Sequence, residues 1–152
     1  MSSLTLSEAR DGLFERFNAD WTAFASAVNG GLVPHVDWQG DDDGAKRDTS
    51  KPWARMSIFH GLSFQQTAGP VGGRIFQRNG NVLINIFAPL SNGQGLTQAE
   101  ALATIAGNAF EGKTAGPGGC IWFRNVSIQE IGPDGAWFQF NINADFLYDE
   151  LK

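Results

Sequence analysis

The sequence is poor in several residue types, and each shortage excludes a class of protein. It has one cysteine, Cys120, so it is not a disulfide-stapled secreted module. No apolar run approaches the roughly 20 residues that span a bilayer, and the first residues lack the basic and apolar regions of a signal peptide. Basic residues are also few, since 11 Lys and Arg stand against 16 Asp and Glu. The resulting net charge of -5 disfavours non-specific binding to DNA phosphates. We therefore expect a soluble acidic protein of a reducing compartment, with no membrane partner.

What is present suits one globular domain. The chain has 152 residues, of which 42% are hydrophobic and 12% aromatic, and this is enough to build a core. No internal repeat or linker divides it, so we predict a single domain over residues 1–152. A polar stretch at about 39–51 has almost nothing to bury and predicts an exposed loop.

The first 31 residues predict a long helix. Thr5 and Glu8 have the spacing of a capping box. Asn29-Gly30-Gly31 is typical of a helix end, because glycine adopts the left-handed conformation without steric cost. We place this helix at about residues 6–28. Apolar residues recur through it at spacings of three, four and seven, on one face: Leu6, Leu13, Phe17, Trp21, Phe24 and Val28.

Three stretches in the middle of the chain predict strands. Residues 34–38 suit a short strand and residues 53–65 a long one. Residues 74–88 contain Asn79-Gly80, which predicts either a hairpin turn or a glycine bulge within one continuous strand. The short arm before Asn79 favours the single bulged strand, and both alternatives stay open.

The last third of the chain predicts a second helix and two strands. Thr97 and Glu100 have the spacing of another capping box, and Gly112 is a candidate helix end. Strands follow at residues 121–131 and from Trp137 onward, where apolar and polar residues alternate with period two. We therefore predict an α+β fold: an antiparallel β-sheet of about five strands with two helices packed on one face.

One segment matches a nucleotide-binding motif letter for letter. Residues 107–114 fit the phosphate-loop pattern G-x-x-x-x-G-K-[ST], with Lys113 and Thr114 at its end. That loop requires a strand before it and a helix starting at the Lys-Thr pair, so that backbone N–H groups surround the phosphates. Here the first half lies inside the predicted second helix, and Gly/Pro residues follow. The context therefore disfavours nucleotide binding.

Other patterns for metal or catalytic chemistry are weak. Asp41-Asp42-Asp43-Gly44 lacks both end ligands of a calcium-binding EF-hand loop. The two histidines, His35 and His60, have no nucleophile motif, and with Cys120 they show no zinc-ligand spacing. We expect Cys120 to pack as a small apolar residue. The sequence predicts no cofactor, no metal and no catalytic residue.

One tryptophan points to assembly. Trp137 falls on the polar side of the predicted last strand, beside Gln139 and Asn141. An outward tryptophan is common at protein interfaces. With Trp122 on the neighbouring strand, it suggests that the second face of the sheet is also covered.

Taken in order, these segments resemble the tail-terminator-like proteins of long-tailed bacteriophages with flexible tails. The resemblance covers nearly the whole chain. It runs from the opening helix through Val36-Asp37-Trp38 and the strand that starts at Trp53 to the closing pair of strands. Its most telling part is residues 78–89, a basic residue, a glycine and an alternating strand that ends in Phe87-Ala88-Pro89.

The resemblance implies a structural role without catalysis. Such a protein would form a hexameric ring that caps the tail tube, stops its polymerisation and joins the tail to the head–tail connector. It would be assembled in the host cytoplasm and lie in the tail or neck of the virion, and DNA would pass through its lumen without specific binding. Acidic residues facing the lumen would keep that DNA from sticking. The interface residues that we expect are Asp41, Asp42, Asp43, Lys46, Arg47, Arg74, Arg78 and Trp137.

Two other functions remain open. One is a different neck or head-completion protein of similar shape, because fold does not fix function. The other is a small nucleotide-binding enzyme that uses Lys113 and Thr114.

Overall fold

The first helix begins and ends close to its predicted bounds. The computed structural model describes residues 3–41 and 50–152, and helix α1 spans Leu6–Phe24. The Thr5 hydroxyl accepts a hydrogen bond from the Glu8 backbone N–H at 3.2 Å, and the Glu8 carboxylate accepts one from the Thr5 N–H at 3.3 Å. A 3-10 turn over Ala25–Asn29 continues the helix to Gly30, which has φ 62°. The capping box and the predicted helix at 6–28 are confirmed, with the last turn tightened.

The strands form one sheet in the order β1-β2-β3-β6-β5-β4. All neighbours are antiparallel except β1 and β2, which pair in parallel from His35 opposite Trp53 to Trp38 opposite Met56. The α+β class is confirmed, but the prediction of about five antiparallel strands is wrong. Segment 39–52 is long enough for a parallel crossover, which takes about a dozen residues or more. The strands are β1 (His35–Trp38), β2 (Trp53–Gln65), β3 (Ile75–Pro89), β4 (Thr114–Ala115), β5 (Ile121–Asp134) and β6 (Trp137–Leu151).

Strand β3 is continuous, so the hairpin alternative at Asn79-Gly80 is wrong. It pairs with β6 without interruption from Ile75 to Pro89. The irregularity lies instead in β2, where the step from His60 to Ser63 opposes the shorter step from Gly80 to Arg78. A β-carbon on Gly80 would lie 2.1 Å from the Phe59 carbonyl oxygen. Glycine is therefore needed there because the β2 backbone lies too close to this position of β3 for any side chain.

Helix α2 spans Gly95–Asn108, so the second predicted capping box is wrong. Gly93, with φ 73°, leads out of the 3-10 turn Leu90–Asn92, and the first helical hydrogen bond joins the Gln98 N–H to the Gln94 carbonyl at 2.9 Å. The helix therefore begins before Thr97. It also ends before the predicted Gly112, and the chain then forms β4, which the sequence did not predict as a strand.

One face of the sheet and both helices enclose the core. The Trp21 indole N–H donates to the Pro34 carbonyl at 3.0 Å, which satisfies the polar atom of the largest buried side chain. The alternation predicted for β6 is confirmed, because its even-numbered residues are the ones that pack inward. The central core residues are Leu13, Phe17, Trp21, Ile84, Ile86, Leu102, Ala106, Phe110, Phe140, Ile142 and Phe146.

Candidate functional site

The face of the sheet away from the helices carries a ladder of amide side chains. The Asn85 Nδ2 donates to the Asn141 Oδ1 at 2.7 Å, and Asn141 also accepts from the Gln139 Nε2 at 3.0 Å. One step along, the Asn81 Nδ2 donates to the Asn143 Oδ1 at 2.7 Å. We call this surface the open face. The ladder is polar but uncharged. Its amides can therefore hydrogen-bond to a partner protein without any charged group of the ladder having to be removed from water.

An aromatic cluster lies at one end of the open face. The Trp53 ring stacks on Phe87 with centroids 4.3 Å apart, and Trp137 meets Trp53 edge-on at 6.1 Å. The Arg55 guanidinium carbon lies 5.4 Å from the Trp53 ring centroid. Trp137 is therefore on the outward side, as its position in the alternation predicted, and it is half-buried by these neighbours.

Trp122 lies on the same face at the other end of the sheet. It pairs with Leu147, whereas Trp137 pairs with Pro89 and Asp134. The Trp122 side chain is 46% exposed. The two outward tryptophans are thus separate features, one partly packed and one open to solvent.

Two of the three arginines predicted as interface residues, Arg74 and Arg78, lie near the free end of the β2–β3 hairpin. The Arg78 Nε donates to the Glu150 Oε2 at 2.7 Å, on the helix side of the sheet. Arg74 pairs through its backbone with Lys152, at 3.0 Å and 2.8 Å, and its Nε is buried without a hydrogen-bond partner among the described residues. Arg78 therefore has a structural ion pair, and no local sequence pattern predicts it.

Next to this ion pair, His60 and Tyr148 form a part-buried polar contact. The His60 Nε2 lies 3.0 Å from the Tyr148 Oη. Burial lowers the pKa of His60, and the positive charges of Arg10 and Arg78 lower it further. Burial also raises the pKa of Tyr148 to about 12. Both side chains are therefore held neutral at neutral pH.

The predicted acidic loop is described only at its start. Asp41 is exposed, and its backbone N–H donates to the Trp38 carbonyl at 3.0 Å in a turn that follows β1. Asp42, Asp43, Lys46 and Arg47 lie outside the described residues. Their predicted interface role stays a prediction.

The phosphate-loop-like segment 107–114 follows a helix instead of preceding one. Gly107 is inside α2, and Thr114 is in β4. The Lys113 Nζ lies 2.8 Å from the Asp20 Oδ2, and Asp20, 8% exposed, also binds Arg16. The lysine that would hold a phosphate is thus held by a carboxylate of α1. This geometry agrees with the context argument against a phosphate loop.

The remaining candidates have plain structural surroundings. His35 Nε2 contacts the Asp37 carboxylate at 2.8 Å, and Cys120 is buried and unpaired, as its predicted packing role requires. Within residues 3–41 and 50–152, no group of three or more His, Cys, Asp or Glu side chains could hold a metal ion. No helix in that part of the chain is long and apolar enough to cross a membrane.

Sequence reasoning missed the amide ladder and the His60–Tyr148 contact. Asparagines at alternate positions in two neighbouring strands are the signal that could have found the ladder. No comparable signal exists for the His60–Tyr148 contact, which joins residues 88 positions apart.

The whole fold is similar to solved structures. One neighbour, a protein whose name describes no function, is 18% identical with a TM-score of 0.66, over 96% of each chain. Another is a chain of the virion of a native gene transfer agent (GTA) particle, 15% identical with a TM-score of 0.54, over 99% of this chain and 100% of that chain. No protein-family model matches the sequence, and no curated protein matches it significantly. At these identities the likeness shows fold, so this chain shares its fold with a protein of that virion particle.

Proposed function

We propose that this chain is a structural virion protein of the tail-terminator kind. The observation that carries the proposal is the end-to-end fold match with a chain of the GTA virion, which covers 99% and 100% of the two chains. The sequence resemblance supports it independently, because residues 78–89 and the closing strands follow the order and spacing of tail terminators. Neither feature depends on a catalytic site, and the role that we propose requires no reaction and no cofactor.

The proposed assembly is a hexameric ring that caps the finished tail tube. Ring closure needs a heterologous interface, in which two different surfaces of the same chain meet at a fixed rotation. The open face, with its amide ladder and its aromatic cluster around Trp53 and Trp137, offers a surface that no described helix or strand covers. Tube subunits on one side of the ring and the head–tail connector on the other are the proposed partners.

DNA is proposed to pass through this ring without specific binding. The net charge of -5 disfavours retention of a polyanion. An acidic lumen that includes Asp41, Asp42 and Asp43 would repel it further. The proposed location is the tail or neck of the virion, after assembly in the host cytoplasm.

Loss of the gene tests this function directly. We expect particles made without the chain to have tails of irregular length and few joined heads in negative-stain electron micrographs, because nothing stops tube polymerisation. Supplying the wild-type chain in trans should restore uniform joined tails, and supplying a variant that does not fold should not.

Two outcomes would contradict the proposal. Normal tail length and normal head joining without the chain would exclude a terminator. If tails were uniform and the chain purified with heads instead of tails, a neck or head-completion role would replace the one proposed.

A further inference from the structure

Within residues 3–41 and 50–152, the outer edge of β2 is shielded only as far as Ile58. Strand β1 pairs with β2 up to Met56. Beyond β1, the Gln39 side chain continues the pattern, since its Oε1 accepts from the Ile58 N–H at 2.8 Å and its Nε2 donates to the Ile58 carbonyl at 3.2 Å. No other described residue forms a strand against this edge. As far as the described residues go, the backbone of β2 is therefore open from Phe59 to Gln65.

The same open stretch carries exposed apolar side chains. Phe59 is 52% exposed, Leu62 76% and Phe64 51%. Residues 56–73 include no Lys, Arg, Asp or Glu, and their one proline, Pro70, lies beyond the strand. Natural edge strands are protected by charges, prolines or covering segments, because an unprotected edge pairs readily with another chain. Among the described residues, the bulge between His60 and Ser63 is the one such protection on this edge, and the apolar side chains around it are half exposed or more.

The opposite end of the sheet has a second open edge. Strand β4 pairs with β5 only at Ile121 and Trp122, so no described strand covers β5 from Phe123 to Asp134. Ile128 and Ile131 on this stretch are 46% and 49% exposed. The described part of each copy therefore presents two different open edges, one at each end of a single sheet.

The charged residues around the two open edges also differ. No Asp or Glu occurs between Asp48 and Glu100, so the β2–β3 hairpin is free of acids in an acidic protein, and its charged residues are Arg55, Arg74 and Arg78. The open stretch of β5 carries two exposed acids, Glu130 and Asp134, and one exposed base, Arg124, so it is acidic overall. Arg78 is paired with Glu150, so Arg55 and Arg74 are the charges that make the hairpin positive. A positive hairpin facing a stretch that is acidic overall favours pairing of unlike edges over pairing of two β2 edges.

We infer that the open edge of β2, from Phe59 to Gln65, docks against the open edge of β5 on a second copy of this chain. The contact combines exposed apolar side chains with backbone hydrogen bonds between strands. Because the two edges differ, the contact is heterologous and repeats head to tail, as a ring requires. The inference rests on the proposed function in one respect, that the chain assembles with itself, and it assigns the surfaces that do so.

Cysteine trapping tests which edges meet. We would prepare Leu62→Cys, Ile131→Cys and the double variant, oxidise each in concentrated solution and in assembled particles, and run them on non-reducing gels. Buried Cys120 offers little competition. The inference predicts covalent multimers from the double variant, a covalent dimer from an equal mixture of the two single variants, and monomers from each single variant alone. A dimer from Leu62→Cys alone, or no cross-link in solution or in particles, would overturn it.

A matched pair of lysine variants tests the energetics. Leu62→Lys places a charge on the open edge, and we expect the dissociation constant for self-association to rise roughly tenfold or more. Val71→Lys makes a comparable change at an 86% exposed site in the loop between the strands and should leave association unchanged. Sedimentation velocity measures both, and circular dichroism checks that both variants fold. Equal association by the two variants would contradict the edge assignment.

The cross-linking and association experiments can fail independently of the test of the proposed function. If micrographs showed uncontrolled tails without the chain but cross-links failed to form, the terminator role would stand and the edge pairing would fall. If the chain were absent from particles but formed the predicted covalent multimers in solution, the edge pairing would stand and the terminator role would fall.

Discussion

The two faces of one sheet differ completely, although the same strands supply both. On β6, Ile142 is buried against the helices, while the adjacent Asn141 on the open face hydrogen-bonds to Asn85 and Gln139. Burial of apolar side chains stabilises the fold. Amide pairs contribute less to stability, because water replaces their hydrogen bonds when the chain unfolds.

This difference separates the residues that determine folding from those available for association. Residues of the covered face must be apolar and of the right volume to fill the core. Residues of the open face need only be types that a β-strand accepts, so the requirements of a binding partner can determine which residues they are. Substitutions that fall on one face should therefore have effects that their neighbours on the other face do not share.

Adjacent substitutions in β6 provide the most direct test of that separation. We expect Ile142→Ala to lower the free energy of unfolding by about 2–5 kcal/mol, because it leaves a cavity in the core. Asn141→Ala should cost about 1 kcal/mol, the loss of its hydrogen bonds with Asn85 and Gln139. Urea unfolding of both variants measures the difference. Equal losses would show that the open face is as important to folding as the core.

The β2 backbone passes very close to Gly80 of β3, and we expect the second-largest loss of stability from a substitution there. Gly80→Ala would place a β-carbon 2.1 Å from the Phe59 carbonyl oxygen and 2.8 Å from the Phe146 ring. Forcing β2 away from β3 should lower the free energy of unfolding by about 1–3 kcal/mol or more. Gly73→Ala is the control, because its β-carbon would meet nothing closer than 3.5 Å. Similar urea midpoints for the two variants would contradict the steric argument.

At the margin of the covered face, we expect Arg78→Glu to lower stability, by about 1–3 kcal/mol, because it replaces a part-buried ion pair by two facing carboxylates. The sequence predicted Arg78 only as an interface residue, and its ion pair with Glu150 adds a role in folding. A double-mutant cycle of Arg78→Gln and Glu150→Gln isolates the pair. If the effects of the two substitutions add without coupling, the 2.7 Å contact contributes nothing to folding.

Tyr148 lies beside Arg78 at the edge of the covered face, and we expect the smallest effect on stability from its titration. As the one tyrosine of the chain, it can be followed alone by phenolate absorbance. We expect a pKa of about 12 in the folded protein, because burial disfavours the phenolate, against about 10 in urea. Since the folded pKa is raised, stability is unaffected below pH 10 and is lost as the pH rises from about 10 toward 12. A folded-state midpoint near 10 would show that the phenol is solvated.

Local patterns predicted the elements that local forces determine. The capping box and apolar stripe of α1 lie within one helix, and the alternation of β6 lies within one strand, so the sequence alone was sufficient for both. The single strand through Asn79-Gly80 was also favoured correctly, although the bulge is on its partner. A pattern in β3 cannot show which of two paired strands carries the extra residue.

What the sequence did not predict depends on contacts between distant segments. The parallel pairing of β1 with β2 has the same local signal as an antiparallel edge strand. The start of α2 at Gly95 is determined by the preceding turn at Leu90–Asn92, not by the Thr97 motif. Likewise, the Asp20–Lys113 ion pair has no local spacing to reveal it, since helix packing brings its two residues together.

The extra residue in β2 also affects how the chain could tolerate length changes. In a regular strand, deletion of one residue turns every later side chain to the opposite face. Between His60 and Ser63, β2 already holds one residue more than β3 needs. Loss of Leu62 would therefore leave a regular ladder with Ile58 still inward and Phe64 still outward, so this strand can be shortened here without inverting its faces.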